Sequence, residues 1–244
     1  MSPRQPAMQF GVPPLTRGVK WLGAVTLAVS ILVAVLGDSG AAMARLVMFL
    51  PADFAHGYLW TPLTYTFLNP DPISLLFALL GLWLLGAALE QSWGTPRFVF
   101  FYFATGALGA LATGLIALVS LKVRGHAYYG NWSSLEGLIA AFAVLMPEAQ
   151  IFLYFLPVQA KWMLPISAGI TVLFMLMTQA WWAYLPQLFG LGAGVLLAGR
   201  ATPQNLFLRL RVWWIDRRLR KGRLRVVRGE EPLSGGRGSD KYLH

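Results

Sequence analysis

Gly130-Asn131-Trp132-Ser133-Ser134-Leu135-Glu136-Gly137-Leu138 opens an apolar run that continues to Met146 and stops at Pro147. As a helix, residues 132–146 rise about 22 Å at about 1.5 Å per residue, against a hydrocarbon core of about 30 Å. A helix that short needs one end inside protein, so other helices must surround it. The rest of the chain can supply them. It is 57% hydrophobic and 12% charged over 244 residues, with a mean hydropathy of +0.57. Longer apolar runs fall at residues 21–37, 73–89, 97–121, 162–178 and 185–199. Within hydrocarbon each backbone polar group must be satisfied in its own segment, so these runs are expected to be helices. The expected fold is an all-α membrane protein, a bundle of six transmembrane helices.

The connections are read from their residue types. Residues 38–72 form a long first loop with Tyr58, Trp60 and Tyr65, aromatics of the kind that sit at a membrane surface. Residues 122–131 form a short polar loop, and residues 151–157 are apolar and β-prone. Gly106, Gly109 and Gly114 in the third span, and Gly190, Gly192 and Gly194 in the sixth, are small residues that let helix backbones approach closely. The expected organisation is a cytoplasmic tail over residues 1–20, a membrane domain over 21–199, a basic helix over 200–228 and a disordered end over 229–244.

The net charge is +10, and ten of the 20 Lys and Arg residues lie between Arg200 and Arg228. Thr202 and Pro203 suit the start of a helix, and Leu206, Leu210, Trp213 and Trp214 share one face of it. Such a helix is expected to lie on the inner leaflet, with Arg209, Arg211, Arg217, Arg218 and Arg220 toward anionic headgroups. No base-reading or base-stacking module is visible, so nucleic acid is not expected as a partner. Six spans put both termini on one side. The basic tail, Arg97 and Lys161 point to the cytoplasm, while Lys122 and Arg124 fall on the opposite side. A bacterial inner membrane is the expected location. With no cysteine, disulfides, thiolate metal sites and cysteine catalysis are excluded. No spacing of His, Asp and Glu suits a metal, and no Gly-rich phosphate loop follows a strand. Neither a metal nor an organic cofactor is expected.

Several motifs together resemble the rhomboid family of intramembrane serine peptidases. In the first loop Trp60, Thr64 and Phe67 stand in register with that family, while Thr61 and Asn69 occupy its arginine and histidine positions. Gly86, Glu90 and Gly94 match a spaced set in its second span, and Arg97, Phe98 and Tyr102 continue into the third. Gly130, Gly137, Leu138 and Pro147 match its fourth span, Pro157 and Lys161 the segment after it, and Gly190 with Gly194 its sixth. The resemblance covers residues 20–199 and implies a six-span rhomboid-like bundle.

The same register implies lost chemistry. A serine nucleophile needs an adjacent base and oxyanion donors. The nucleophile position holds Trp132, the base position Gln187, and the oxyanion positions Ser74 and Ala78. The resemblance thus implies an inactive pseudoprotease that binds or escorts transmembrane clients, docked between spans two and five, with Trp132 plugging the former site. Two alternatives stay open. One is a divergent serine endopeptidase using Ser133 or Ser134; the other is a small transporter. Ser133 and Ser134 are otherwise expected to cap the fourth helix. Glu136 is an ionisable residue within a span, hence a functional candidate, or a carboxylate favoured by the helix N-terminus. Glu90 is expected to tie span two to inner loops, and His126 to be a solvated loop residue.

Overall fold

The computed structural model describes residues 13–153 and 156–200. Residues 1–12 of the tail expected over 1–20, and everything expected beyond residue 200, including the five arginines of the basic helix, lie outside the described residues. Among those residues the regular elements are helices apart from one short hairpin. Five helices are long and apolar enough to cross a membrane, and a sixth is shorter.

The first span, α1 (Arg17–Val35), starts four residues earlier than its hydropathy suggests. Arg17 and Lys20 are exposed in its first turn, where long cationic side chains can reach the polar end of the bundle. The helix start is secured from another element. Glu90 accepts hydrogen bonds from the Thr16 hydroxyl and from the amides of Gly18 (2.8 Å) and Val19 (3.0 Å). It also accepts one from the Thr95 hydroxyl at 2.6 Å. A buried carboxylate thus satisfies N–H groups that a helix start leaves orphaned, and it reaches two helix starts rather than inner loops alone.

The first loop is structured. It carries α2 (Gly37–Val47), α3 (Pro51–Ala55), α4 (Thr61–Thr64) and a 3-10 turn over Tyr65–Phe67. Phe49 and Tyr128 exchange backbone hydrogen bonds of 2.9 and 2.8 Å, which joins this loop to the stretch before Gly130. Their rings lie in a buried cluster with Tyr65 and Val123. The expected interface residue Tyr65 is therefore core, whereas Trp60 remains 48% exposed and donates its indole N–H to the Leu46 carbonyl.

The second span, α5 (Pro72–Trp93), is capped by Asp71, whose carboxylate accepts the Ser74 N–H at 2.6 Å. It stops at Gly94, whose φ of +80° a side chain would strain. The third span, α6 (Thr95–Ile116), ends before the expected residue 121. The chain tightens through bonds from Leu118 N to Leu115 O and from Val119 N to Ile116 O, then restarts as α7 (Leu121–Arg124). Leu118, Val119 and Leu121 are each more than 80% exposed. They pack on nothing here, so their apolarity says nothing about where the helix stops.

The fourth span, α8 (Trp132–Leu145), is the core of the bundle and packs on α5, α6, α9 and α10. It runs antiparallel to α6, with Gly106 against Ser134 and Gly109 against Ser133, and Gly137 against Thr105. It runs parallel to α10 (Leu185–Arg200), with Gly190 against Ser133 and Gly194 against Gly137. Gly192, grouped with them by sequence, meets nothing within 4 Å; it lies on another side of the helix. Strands β1 (Gln150–Leu153) and β2 (Leu156–Gln159) pair antiparallel and lead into α9 (Ala160–Thr178). That fifth span has only Ala160 and Thr171 fully buried, and it packs on α8 and α10 rather than α5.

Candidate functional site: the cavity at the start of α8

Gly130 sits at φ +91°, and its N–H donates to the Tyr65 carbonyl at 3.0 Å. A Cβ there would lie 2.9 Å from the Trp132 ring and 3.2 Å from Asn69 Oδ1. Conformation and crowding both demand glycine at the turn that leads into α8. Trp132 is half-buried. It borders a cavity of about 210 Å³ with Tyr65, His126, Tyr128, Ser133 and Gln187 among its walls. The residues expected at the nucleophile and base positions, Trp132 and Gln187, therefore meet at one cavity, brought there by the starts of α8 and α10. Trp132 forms a wall and leaves space beside it.

The two serines do something other than cap the helix. The N-cap is Asn131, without a side-chain capping bond. Ser133 is buried, and its hydroxyl donates to the Pro186 carbonyl at 2.7 Å, with the Thr105 carbonyl at 3.4 Å. Ser134 is buried and donates to the Tyr102 carbonyl at 2.9 Å. The expected capping role gives way because Ser134 points toward α6 and Ser133 lies between α6 and α10, where Gly106, Gly109 and Gly190 leave room and carbonyls accept their protons. Each hydroxyl is thereby spent on the backbone of a neighbouring helix.

Ser74 and Ala78 lie on α5, apart from the walls of the cavity. Ser74 is half-buried next to the Asp71 cap. Ala78 is fully buried, and its carbonyl accepts from Asn131 Nδ2 at 3.4 Å. Asn69 is also buried, and its backbone N–H donates to Ser30 Oγ at 3.0 Å. Neither polar atom of its side chain has a protein partner, and the same holds for Asn131 Oδ1 and the Tyr102 hydroxyl. Asn69, Asn131 and Tyr102 all stood in quoted motifs, but nothing in the sequence showed that their polar atoms would be buried without protein partners.

The electrostatics are those of a neutral site. Burial pushes the Tyr65 phenol well above its ordinary pKa, against the smaller opposing effect of Ser133, and burial pushes the Tyr128 phenol up as well. Burial lowers the pKa of His126. That histidine is half-buried and packs edge-to-face on Tyr128 at 4.8 Å, rather than lying free in solvent. No hydrogen bond joins it to Ser133. Outside the cavity, Glu136 accepts a hydrogen bond from Ser167, which ties α8 to α9. Among the described residues no group of three or more His, Cys, Asp or Glu could hold a metal ion.

Residues 20–196 match the model of a family described as Eukaryotic integral membrane protein (DUF1751). No curated protein matches the chain. The match spans most of the sequence, so the chain belongs to that family and is an integral, multi-pass membrane protein in contact with lipid. The family is described as eukaryotic, which does not fit the bacterial inner membrane expected from the sequence. Hydropathy and charge define a membrane segment without identifying the organism.

Proposed function

We propose that this member of the family is a rhomboid-like pseudoprotease, catalytically silent, that binds transmembrane segments of client proteins. The observation that carries the reading is the pairing of Trp132 with Gln187 at one cavity. The indole is no nucleophile, and an amide cannot take up the proton that a general base must accept. The hydroxyls of Ser133 and Ser134, each donated to a backbone carbonyl, fit the same reading.

Client binding draws support from α9. Its lipid-facing side exposes Trp162, Ile170, Leu173, Phe174, Leu176 and Met177. It packs on α8 and α10 rather than on α5, which also exposes Ile73, Leu76 and Phe77. Two apolar spans that leave each other uncovered suit a third helix between them. Arg17, Lys20, Arg97 and Lys161 stand where α1, α6 and α9 begin, which supports placing that end of the bundle in the cytoplasm.

One observation favours the peptidase alternative: Ser133 and His126 border the same cavity. Two measurements separate the readings. A fluorophosphonate probe applied to membranes holding the full chain is expected to leave it unlabelled. Labelling that vanishes in Ser133→Ala would overturn the pseudoprotease reading. A photoreactive residue in place of Trp132 is expected to form adducts that map to transmembrane segments of other proteins. Adducts with lipid alone would overturn the client-binding role.

A further inference from the structure

A second concavity lies away from the turn, between α1 and α5. It holds about 460 Å³ and is walled almost wholly by aliphatic side chains. That volume is within the range of small-molecule sites, about 300–1,000 Å³. Gly23 leaves the groove floor open: a Cβ there would meet only Leu79 Cδ2, at 3.6 Å. Ala24 beside it is small and exposed.

The groove has two unlike ends. α1 and α5 run antiparallel, since the start of α1 rests on Glu90 near the end of α5. Lys20 and Trp83 therefore border one end, and Leu27 and Leu76 the other. Leu27 and Leu76 are 41% and 63% exposed, so the deep end opens toward lipid. Lys20 is exposed at the mouth, with Arg17 one turn before it on α1. The carboxylate nearest this end, Glu90, is buried and committed to four donors. The mouth is thus cationic and the slot behind it apolar.

We propose that this groove is a phospholipid site. It takes one acyl chain of an anionic glycerophospholipid from the bilayer, with the phosphate held at Lys20. Apolar burial retains the chain, and the ammonium selects the headgroup charge. The occupant matches both ends of the groove, a phosphate at the cationic mouth and an acyl chain along the apolar walls.

The test uses the full-length protein released from nanodiscs of mixed phosphatidylglycerol and phosphatidylcholine into a native mass spectrometer. One retained lipid is expected, with phosphatidylglycerol enriched. Gly23→Phe, which puts a ring into the middle of the groove, is expected to cut retention sharply. Ala24→Phe, on the exposed rim, provides the same obstruction should the first variant misfold, and circular dichroism with thermal melting checks both. Lys20→Ala is expected to keep a lipid but lower the anionic preference about fivefold, the effect of one basic residue near a headgroup. Retention unchanged in folded Gly23→Phe or Ala24→Phe overturns the slot. Equal retention of the two lipids by the wild type overturns the anionic assignment. Release of the wild type with no lipid retained overturns both.

Discussion

His126 shows how one side chain changes meaning when its surroundings are known. From sequence it is a polar residue in a polar loop; in the fold it packs on Tyr128 and borders the cavity. Burial lowers its pKa below the ordinary value of about 6.5. In the window between the lowered and the ordinary value the unfolded loop binds more protons than the folded one. Stability from this group is therefore complete above about pH 6.5 and is lost as pH falls through the lowered pKa. Amide exchange in residues 122–131 is expected to quicken as the pH drops below about 6.5, after correction for intrinsic exchange. His126→Phe should flatten that dependence; an unchanged slope would assign it to other groups. Trp132 shows the limit of legibility at this scale. Its identity at the start of α8 was readable, whereas its half-exposed placement beside a cavity was not, because the walls come from the first loop, the stretch before Gly130 and the start of α10.

Helix pairing is where small residues decide the outcome. Gly194 lies so near α8 that a Cβ would fall 2.6 Å from the Gly137 carbonyl oxygen and 2.7 Å from its Cα. Backbone cannot give way as a flexible side chain can, so Gly194→Leu forces α8 and α10 apart. The expected cost is about 1–3 kcal/mol, read as a lower midpoint in detergent unfolding. Gly192→Leu meets open space and should leave the midpoint nearly unchanged. Glycines at both positions are equally visible in sequence. Only the packing partner separates them, and the partner is more than 50 residues away. The boundaries of α1 and α6 were missed for a related reason. Arg17 and Lys20 resemble loop residues until Glu90 is seen to hold the helix start, and residues 118–121 resemble helix because apolarity persists where packing has ended.

At the level of the whole molecule, the count and order of spans were legible, because a bilayer imposes helical segments of a set length. The arrangement around α8 was only half legible: its shortness announced that it needs neighbours, and its glycines that they are close. What the sequence did not contain is how much each neighbour contributes. Here the structure has a consequence for biogenesis. A helix of 14 residues with a carboxylate at Glu136 is a poor candidate for entering a bilayer unaided, and its partner α10 is synthesised last of the described spans. The nascent chain must therefore pass through a stage in which the helix that will become the centre is not yet secured. A chain ended at Tyr184, which lacks α10, is expected to leave residues 132–146 accessible to a membrane-impermeant thiol reagent at an introduced Ala140→Cys, while the full chain protects it. Protection in both would show that α6, α5 and α9 suffice. The centre of this protein is thus an assembly product, secured only when its last-made partner packs on it.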